Sequence, residues 1–412
     1  WLVNDVGMAC DWLTTHPYPA FTPHAGTDRL GSFKSLFHAT AESLFYADLS
    51  GKPCFAEELG TLSGVCAGER VAAEYLQGTL QNLLFHDCRA LFWWCAFDQS
   101  RLPGAPYRWC AVERELGLFR PDGSLKPVGG VLAGFPDFAA RLPETPLPPF
   151  QRDAVVILTD PAGAWGAAWG AFLLAKQAHF DVEFRYAGQP LPDRALYLVP
   201  AVSGLDGIPP ELFAELERRA AAGATVFVSS NGAMLSPFGD AFGVESEGCD
   251  EEPSVAAVEY GGETLTFRRG VRLHLAPTTA EVVARDSDGI PVLTRRAVGE
   301  GDLWFFALPL ELEAVSASDA TAKGYFRIYA TVGELARLRR PLQVASPFLS
   351  VTIHPVDEAH VYAVVVNNGS RHEKPDFTTA SGWRIAAKQP GDFSVLPPRA
   401  WTWFELRKSG EA

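Results

Sequence analysis

No run of apolar residues reaches the roughly 18–20 that a bilayer-crossing helix needs, so nothing in the sequence reads as a membrane span. Basic residues are in the minority, 35 Lys and Arg against 49 Asp and Glu, and they form no cluster. Without such a cluster to neutralise phosphates, a nucleic-acid partner is excluded, and the net charge of −14 reads as solubility. Cysteine is sparse and odd in number: Cys10, Cys54, Cys66, Cys88, Cys95, Cys110 and Cys249, with no C-x-x-C pair to suggest structural zinc. Several of these lie in apolar, strand-like runs, where a thiol serves as a small hydrophobe, and that pattern points to a reducing, cytoplasmic setting. No G-x-G-x-x-G occurs. The glycine-rich stretch DPAGAWGAAWG follows a strand but lacks that spacing, so its small residues read as helix packing rather than nucleotide binding. There is no initiating methionine and no signal peptide before Trp1, and the expectation is that the chain begins inside a larger unit.

What is present is a multidomain α/β protein. At 412 residues and 44.7 kDa, two to three domains are expected, and 47% hydrophobic with 20% charged residues is the balance of a globular chain. Residues 1–142 alternate buried strands (KPCFAEELG, CRALFWWCAF) with helices (FKSLFHATAESLFYADL, ERVAAEYLQGTLQNLLF, LKPVGGVLAGFPDFAARL). Continuous apolar strands separated by helices signal a parallel sheet. Three such units are visible, whereas a (β/α)8 barrel has eight. A proline-rich linker at 143–152 precedes a second α/β pattern, 153–338, which reads as a doubly wound domain. From 341 to 408 alternation dominates, and a small antiparallel β-sandwich is expected.

The candidate chemistry lies at the strand ends. A buried strand closing on Glu57 and Glu58 is unusual, because desolvating an unpaired charge is costly. At the C-terminal end of a barrel strand a carboxylate is placed for catalysis, and alternation allows only one of the two to point into the mouth. Before this strand, THPYP puts His16 and Tyr18 on alternate positions. After it, LFWWCAFDQ carries Trp93, Trp94 and Asp98. Carboxylate, imidazole, phenol and indole around one pocket suit a sugar ring with its hydroxyls and C–H face.

KPCFAEELG resembles the seventh-strand nucleophile motif of clan A glycoside hydrolases. In their mannanase-like branch the second of two glutamates is the nucleophile, which implies Glu58. HPY resembles the sixth-strand motif of family 5, implying that Tyr18 hydrogen-bonds the nucleophile and His16 reaches substrate. WCAFDQ is similar to the eighth strand of family 2, implying Trp94 rather than Trp93 as the floor of the sugar subsite, with Asp98 nearby. GLFRPDGSLKPV resembles the segment leading into the eighth helix. The second domain resembles the flavodoxin-like, amidotransferase-like trimerisation domain of family 42 β-galactosidases, which implies a homotrimer. An amidotransferase would carry a cysteine after the strand TVFVSS, and NGAML there has none.

A retaining mechanism needs a second carboxylate, the acid/base. In this clan it usually follows an asparagine at the end of the fourth strand, and the chain holds no Asn-Glu pair. The expectation is that strands one to about five, with that residue, belong to a preceding segment. The resemblance implies an exo-acting β-mannosidase or β-galactosidase on a β-linked sugar or oligosaccharide, with no cofactor or metal. The alternative is a non-catalytic carbohydrate-binding or assembly protein that keeps part of a barrel. Trp383, Trp401 and Trp403 are candidates for its platform, although core packing is their simpler role.

Overall fold

The computed structural model describes residues 2–204, 207–233, 241–338 and 340–410. The chain divides into two compact units, residues 1–151 together with 339–412, and residues 152–338.

In the first unit three parallel strands pair in sequence order: β1 (Leu13–Thr15), β2 (Cys54–Leu59) and β3 (Leu91–Trp93). Helices Phe33–Ser50 and Glu69–Phe85 make the crossovers. The first is well delimited: the Ser32 hydroxyl accepts the Ser35 N–H at 3.2 Å, and Gly51 closes the helix in the left-handed region at φ 67°. Ala56 and Leu59 of β2 pack on Tyr75, Leu76 and Leu36 of these helices, which seals that face of the sheet. The stretch expected as one helix after β3 is two, Pro127–Ala133 and Phe135–Ala139. Pro136 has no N–H to continue the first ladder, so the chain restarts at Gly134.

Residues 341–408 form one four-stranded antiparallel sheet, ordered Leu349–Pro355, His360–Asn367, Trp401–Lys408, Trp383–Lys388, plus the short pair Leu342–Gln343 and Thr378–Thr379. It is counted in the same unit as residues 1–151, and the reason is its second apolar face. Val364, Val366 and Trp401 pack on Phe85 and Leu147, with Trp401 ring centroids 5.7 Å from Phe85 and 4.9 Å from Phe138. The Trp403 indole donates to Arg141 O at 2.9 Å, so neither tryptophan is free to serve as a sugar platform. A buried amide pair adds to this contact, with Asn82 Nδ2 donating to Asn368 Oδ1 at 2.9 Å. The proline-rich segment is held here too, through Gln151 N–H on Ile353 O at 2.7 Å. The boundary between units therefore falls after Gln151.

The second unit is built on a seven-stranded sheet. Five parallel strands are ordered Val182–Tyr186, Ala154–Leu158, Leu196–Val202, Thr225–Ser230 and Gly301–Phe306. Pro291–Val298 and Glu281–Arg285 then extend the edge antiparallel. Helix Pro210–Ala221 seals one face through Leu212, Phe213 and Leu216. Helix Ala164–Gln177 is buried along most of its length and packs against Leu310–Ser316 and Phe326–Leu335. In DPAGAWGAAWG it is Gly170 that packing demands, since a Cβ there would stand 2.1 Å from Glu311 O. Residues 234–240, which include the end of NGAML, lie outside the described residues. No helix among the described residues is long and apolar enough to cross a membrane.

Candidate active site

The C-terminal ends of β1, β2 and β3 point the same way because the strands are parallel, and they bring His16, Glu57, Glu58, Tyr18 and Trp94 into one neighbourhood. His16 Nδ1 lies 2.7 Å from Glu58 Oε2, and its Nε2 lies 3.5 Å from Glu57 Oε2. Both carboxylates thus meet one imidazole, where strict alternation allows only one to face the mouth. The cause is a register shift between Ala56 and Leu59 in the β2–β3 pairing, which breaks the period of two where the glutamates sit. The two differ in environment: the Glu58 side chain is 22% exposed, while those of Glu57 and His16 are about half exposed. The Glu57 carboxyl is held below its usual range, first by a hydrogen bond from Thr14, against the opposing effect of burial, and further by His16.

Tyr18 sits in a small apolar cluster with Leu62 and Leu116, beside Cys95 and Val112. Burial, then the charges of Glu58 and Glu113, raise its hydroxyl pKa well above the usual value, so it keeps its proton. The resemblance gave Tyr18 the hydrogen bond to the nucleophile and His16 the contact with substrate. Here the bond on Glu58 is made by His16. The Tyr18 N–H turns back onto His16 O at 2.8 Å, which sets the phenol into the apolar cluster and leaves the imidazole over β2. Gly60 suits this arrangement: a Cβ would lie 3.1 Å from both Trp94 O and Tyr18 Cε1, so both would have to give slightly.

Trp94 continues β3, its N–H bonding Leu59 O at 2.8 Å, and its peptide to Cys95 is cis. Trp93 faces the other side of the strand and donates its indole N–H to Leu116 O at 2.9 Å. Asp98 also stands apart from Glu58. Its Oδ1 accepts from Gly117 N–H at 2.8 Å and Lys126 Nζ at 2.9 Å, an ion pair that ties the loop after β3 to the start of the next helix. The substrate roles expected for Trp93 and Asp98 beside Glu58 therefore have no support from their placement, because both are turned to the loop after β3 instead.

Sequence reasoning missed three contributors. Thr14 supports Glu57, Glu113 acts on Tyr18, and Glu42 lies buried below the strand end. Glu42 accepts from the hydroxyls of Thr15 and Thr22 and stands 3.3 Å from His38 Nε2. Burial alone would raise its pKa, but His38 and the two hydroxyls outweigh this and lower it. The adjacent Thr14 and Thr15 just before His16 were the available signal. Nothing marked Glu42 within its helical pattern. No group of three or more His, Cys, Asp or Glu among the described residues is disposed to hold a metal ion.

No protein-family model matches the chain, and no curated protein matches it. Solved structures do. The exo-β-1,4-mannosidase Op5Man5 from Opitutaceae bacterium strain TAV5 superposes with TM-score 0.62 at 18% identity, covering 79% of this chain and 60% of that one. Gan42B, a GH42 β-galactosidase from G. stearothermophilus, gives TM-score 0.70 at 13% identity over 99% of this chain and 61% of that one. A β-galactosidase from Bacillus circulans sp. alkalophilus gives 0.69 at 15% over 99% and 62%. The chain spans about three fifths of the length of these structures. At such identities the likeness shows the fold, which is the one these glycoside hydrolases share.

Proposed function

We propose that the protein is a retaining β-glycoside hydrolase, exo-acting on β-mannosides or β-galactosides, with Glu58 as nucleophile. The observation that carries this is the Glu58 carboxylate, largely buried at the end of a parallel strand, with one oxygen 2.7 Å from His16 Nδ1. That contact orients the carboxylate, which as a carboxylate attacks an anomeric carbon. In the reaction Glu58 forms the glycosyl-enzyme while an acid/base carboxylate protonates the departing oxygen. The same acid/base then deprotonates the water that releases the sugar. Tyr18, which keeps its proton, adds an uncharged phenol near the nucleophile, and Trp94 offers an indole to the ring's C–H face.

The acid/base is assigned to a residue outside this chain. Glu57 is occupied by Thr14 and His16 on the strand of the nucleophile itself. The face of the three-stranded sheet that carries Phe92 and Trp94 is also open, these residues being 57% and 41% exposed, which suits further barrel strands supplied from elsewhere. On its resemblance to the family 42 trimerisation domain, the second unit is assigned to homotrimer assembly. Sedimentation of the full-length protein as a clean monomer would remove that assignment.

The names of the similar structures support both sugars, so the discriminating test compares them. The full-length protein is treated with 2-deoxy-2-fluoro-β-mannosyl fluoride and with its galactosyl counterpart, and the adduct is located by peptide mass. Labelling at Glu58, absent in Glu58→Gln, is expected with one of the two. A label on another carboxylate, or none with either reagent, overturns the reading.

A further inference from the structure

Trp93 and Asp98, which stand apart from Glu58, share a cleft of about 310 Å³ on the helix side of β3. We propose that this cleft is a second binding site, separate from the Glu58 cluster, that takes one unit of a neutral saccharide. Its size is at the lower end of the roughly 300–1,000 Å³ typical of small-molecule sites.

The charges of the lining identify the ligand class. Glu69 and Arg120 pair across the cleft, with Arg120 Nε 3.1 Å from Glu69 Oε1, and Asp98 pairs with Lys126 at 2.9 Å. Glu115 is the remaining carboxylate of the lining, and among the described residues it has no cationic partner. Two internal ion pairs and one surplus negative charge repel an anion, and a phosphate or carboxylate ligand would find no unengaged cation.

The Asp98–Lys126 pair nevertheless has capacity left over. Each side chain is only 8% exposed. Lys126 Nζ carries three donors and uses two, on Asp98 Oδ1 and on Glu115 O at 3.0 Å. Asp98 Oδ1 takes both bonds that this carboxylate receives among the described residues, which leaves Oδ2 as an acceptor. A donor and an acceptor side by side on the cleft wall match a pair of vicinal hydroxyls, which would take the place of water there. The half-buried indole of Trp93 lines the same cleft, and its apolar body suits the C–H face of a pyranose. Hydroxyl-matching polar groups beside an aromatic plane are what a neutral sugar requires.

The test uses the chain labelled with 5-fluorotryptophan, with the Trp93 ¹⁹F resonance assigned through Trp93→Phe. β-1,4-Mannobiose and methyl β-galactoside are titrated in turn, with inorganic phosphate as the anionic comparison. A saturable shift of the Trp93 resonance with at least one sugar and none with phosphate is expected. Gly64→Leu fills the cleft from its rim. Gly64 is exposed, and the nearest atom to an added Cβ is Glu115 Oε2 at 3.4 Å, so the backbone need not move. That variant should weaken the shift at least about tenfold in affinity, whereas Trp94→Ala should leave it intact. No Trp93 shift with either sugar, a shift with phosphate, one that survives Gly64→Leu, or one abolished by Trp94→Ala overturns the proposal. Labelling of Glu58 is unaffected by any of these outcomes, so the two readings fail separately.

Discussion

His16 holds Glu58 by a single 2.7 Å contact from Nδ1 to Oε2 while its other nitrogen faces Glu57, so one imidazole governs the position of the strand-end carboxylate. His16→Ala removes that restraint and lets the carboxylate swing. Misplacement of a reacting group by about 1 Å costs on the order of 10²-fold in rate. The rate of covalent trapping at Glu58 should fall by that order in the full-length protein, with the unfolding midpoint unchanged because His16 is half exposed. An unaltered trapping rate would show that Glu58 is oriented by something else.

Gly60→Ala tests the packing beneath the same site. Its Cβ would press on Trp94 O and Tyr18 Cε1, each 3.1 Å away, so the ring and the strand end must both yield by a few tenths of an ångström. Trapping is expected to slow by about tenfold, a smaller displacement than loss of His16 produces. Stability should drop by no more than about 1–3 kcal/mol, the usual cost of overpacking. Thermal unfolding beside the trapping assay separates the two effects.

Glu311 in the second unit makes stability depend on pH. Burial raises its pKa to about 7, against the hydrogen bonds from Ser229 and Tyr329 that favour the charged form. A carboxyl raised in the folded state stabilises fully below its unfolded value, near 4.5, and loses that contribution as pH climbs through about 7. The shift corresponds to a loss on the order of 3 kcal/mol. Glu311→Gln mimics the protonated acid and cannot ionise. Relative to wild type, its stability in urea should therefore rise between pH 4.5 and 8, and parallel curves across that window would contradict the assignment.

Trp401→Ala should destabilise more than its own sheet. The ring is buried against Phe85 and Phe138, and truncating a buried tryptophan costs about 3–5 kcal/mol. Because Phe85 ends the helix Glu69–Phe85, amide exchange should accelerate in that helix as well as in the strands His360–Asn367 and Trp401–Lys408. Acceleration confined to the C-terminal strands would mean that they fold apart from residues 1–151.

Much of the candidate site follows from local pattern. Three apolar strands separated by helices point to a parallel sheet, and parallel strands present their C-terminal ends together, which is why His16, Tyr18, Glu58 and Trp94 meet. Glu57 escapes that logic, because a register shift between neighbouring strands is a property of the pair and leaves no mark on either strand alone. Asp98 escapes it for a different reason. The motif resemblance placed it near the sugar, but Lys126, 28 residues further on, is packed against it and claims its carboxylate. The sheet at 341–408 alternates as a free-standing sandwich would, and only contact with Phe85 and Leu147 reveals that its outer face is covered.

Residue order therefore indicates which segments are strands or helices and where the strand-end carboxylates lie, since these depend on a short-range period of 2 or 3.6, whereas the choice of Trp94 over Trp93 rests on the motif resemblance. Packing in three dimensions decides that His16 rather than Tyr18 makes the bond to Glu58, that Glu57 joins them, and that Trp93 and Asp98 line a separate cleft. These outcomes turn on register, ion pairing and the burial of side chains far apart in the chain, and no local repeat encodes them.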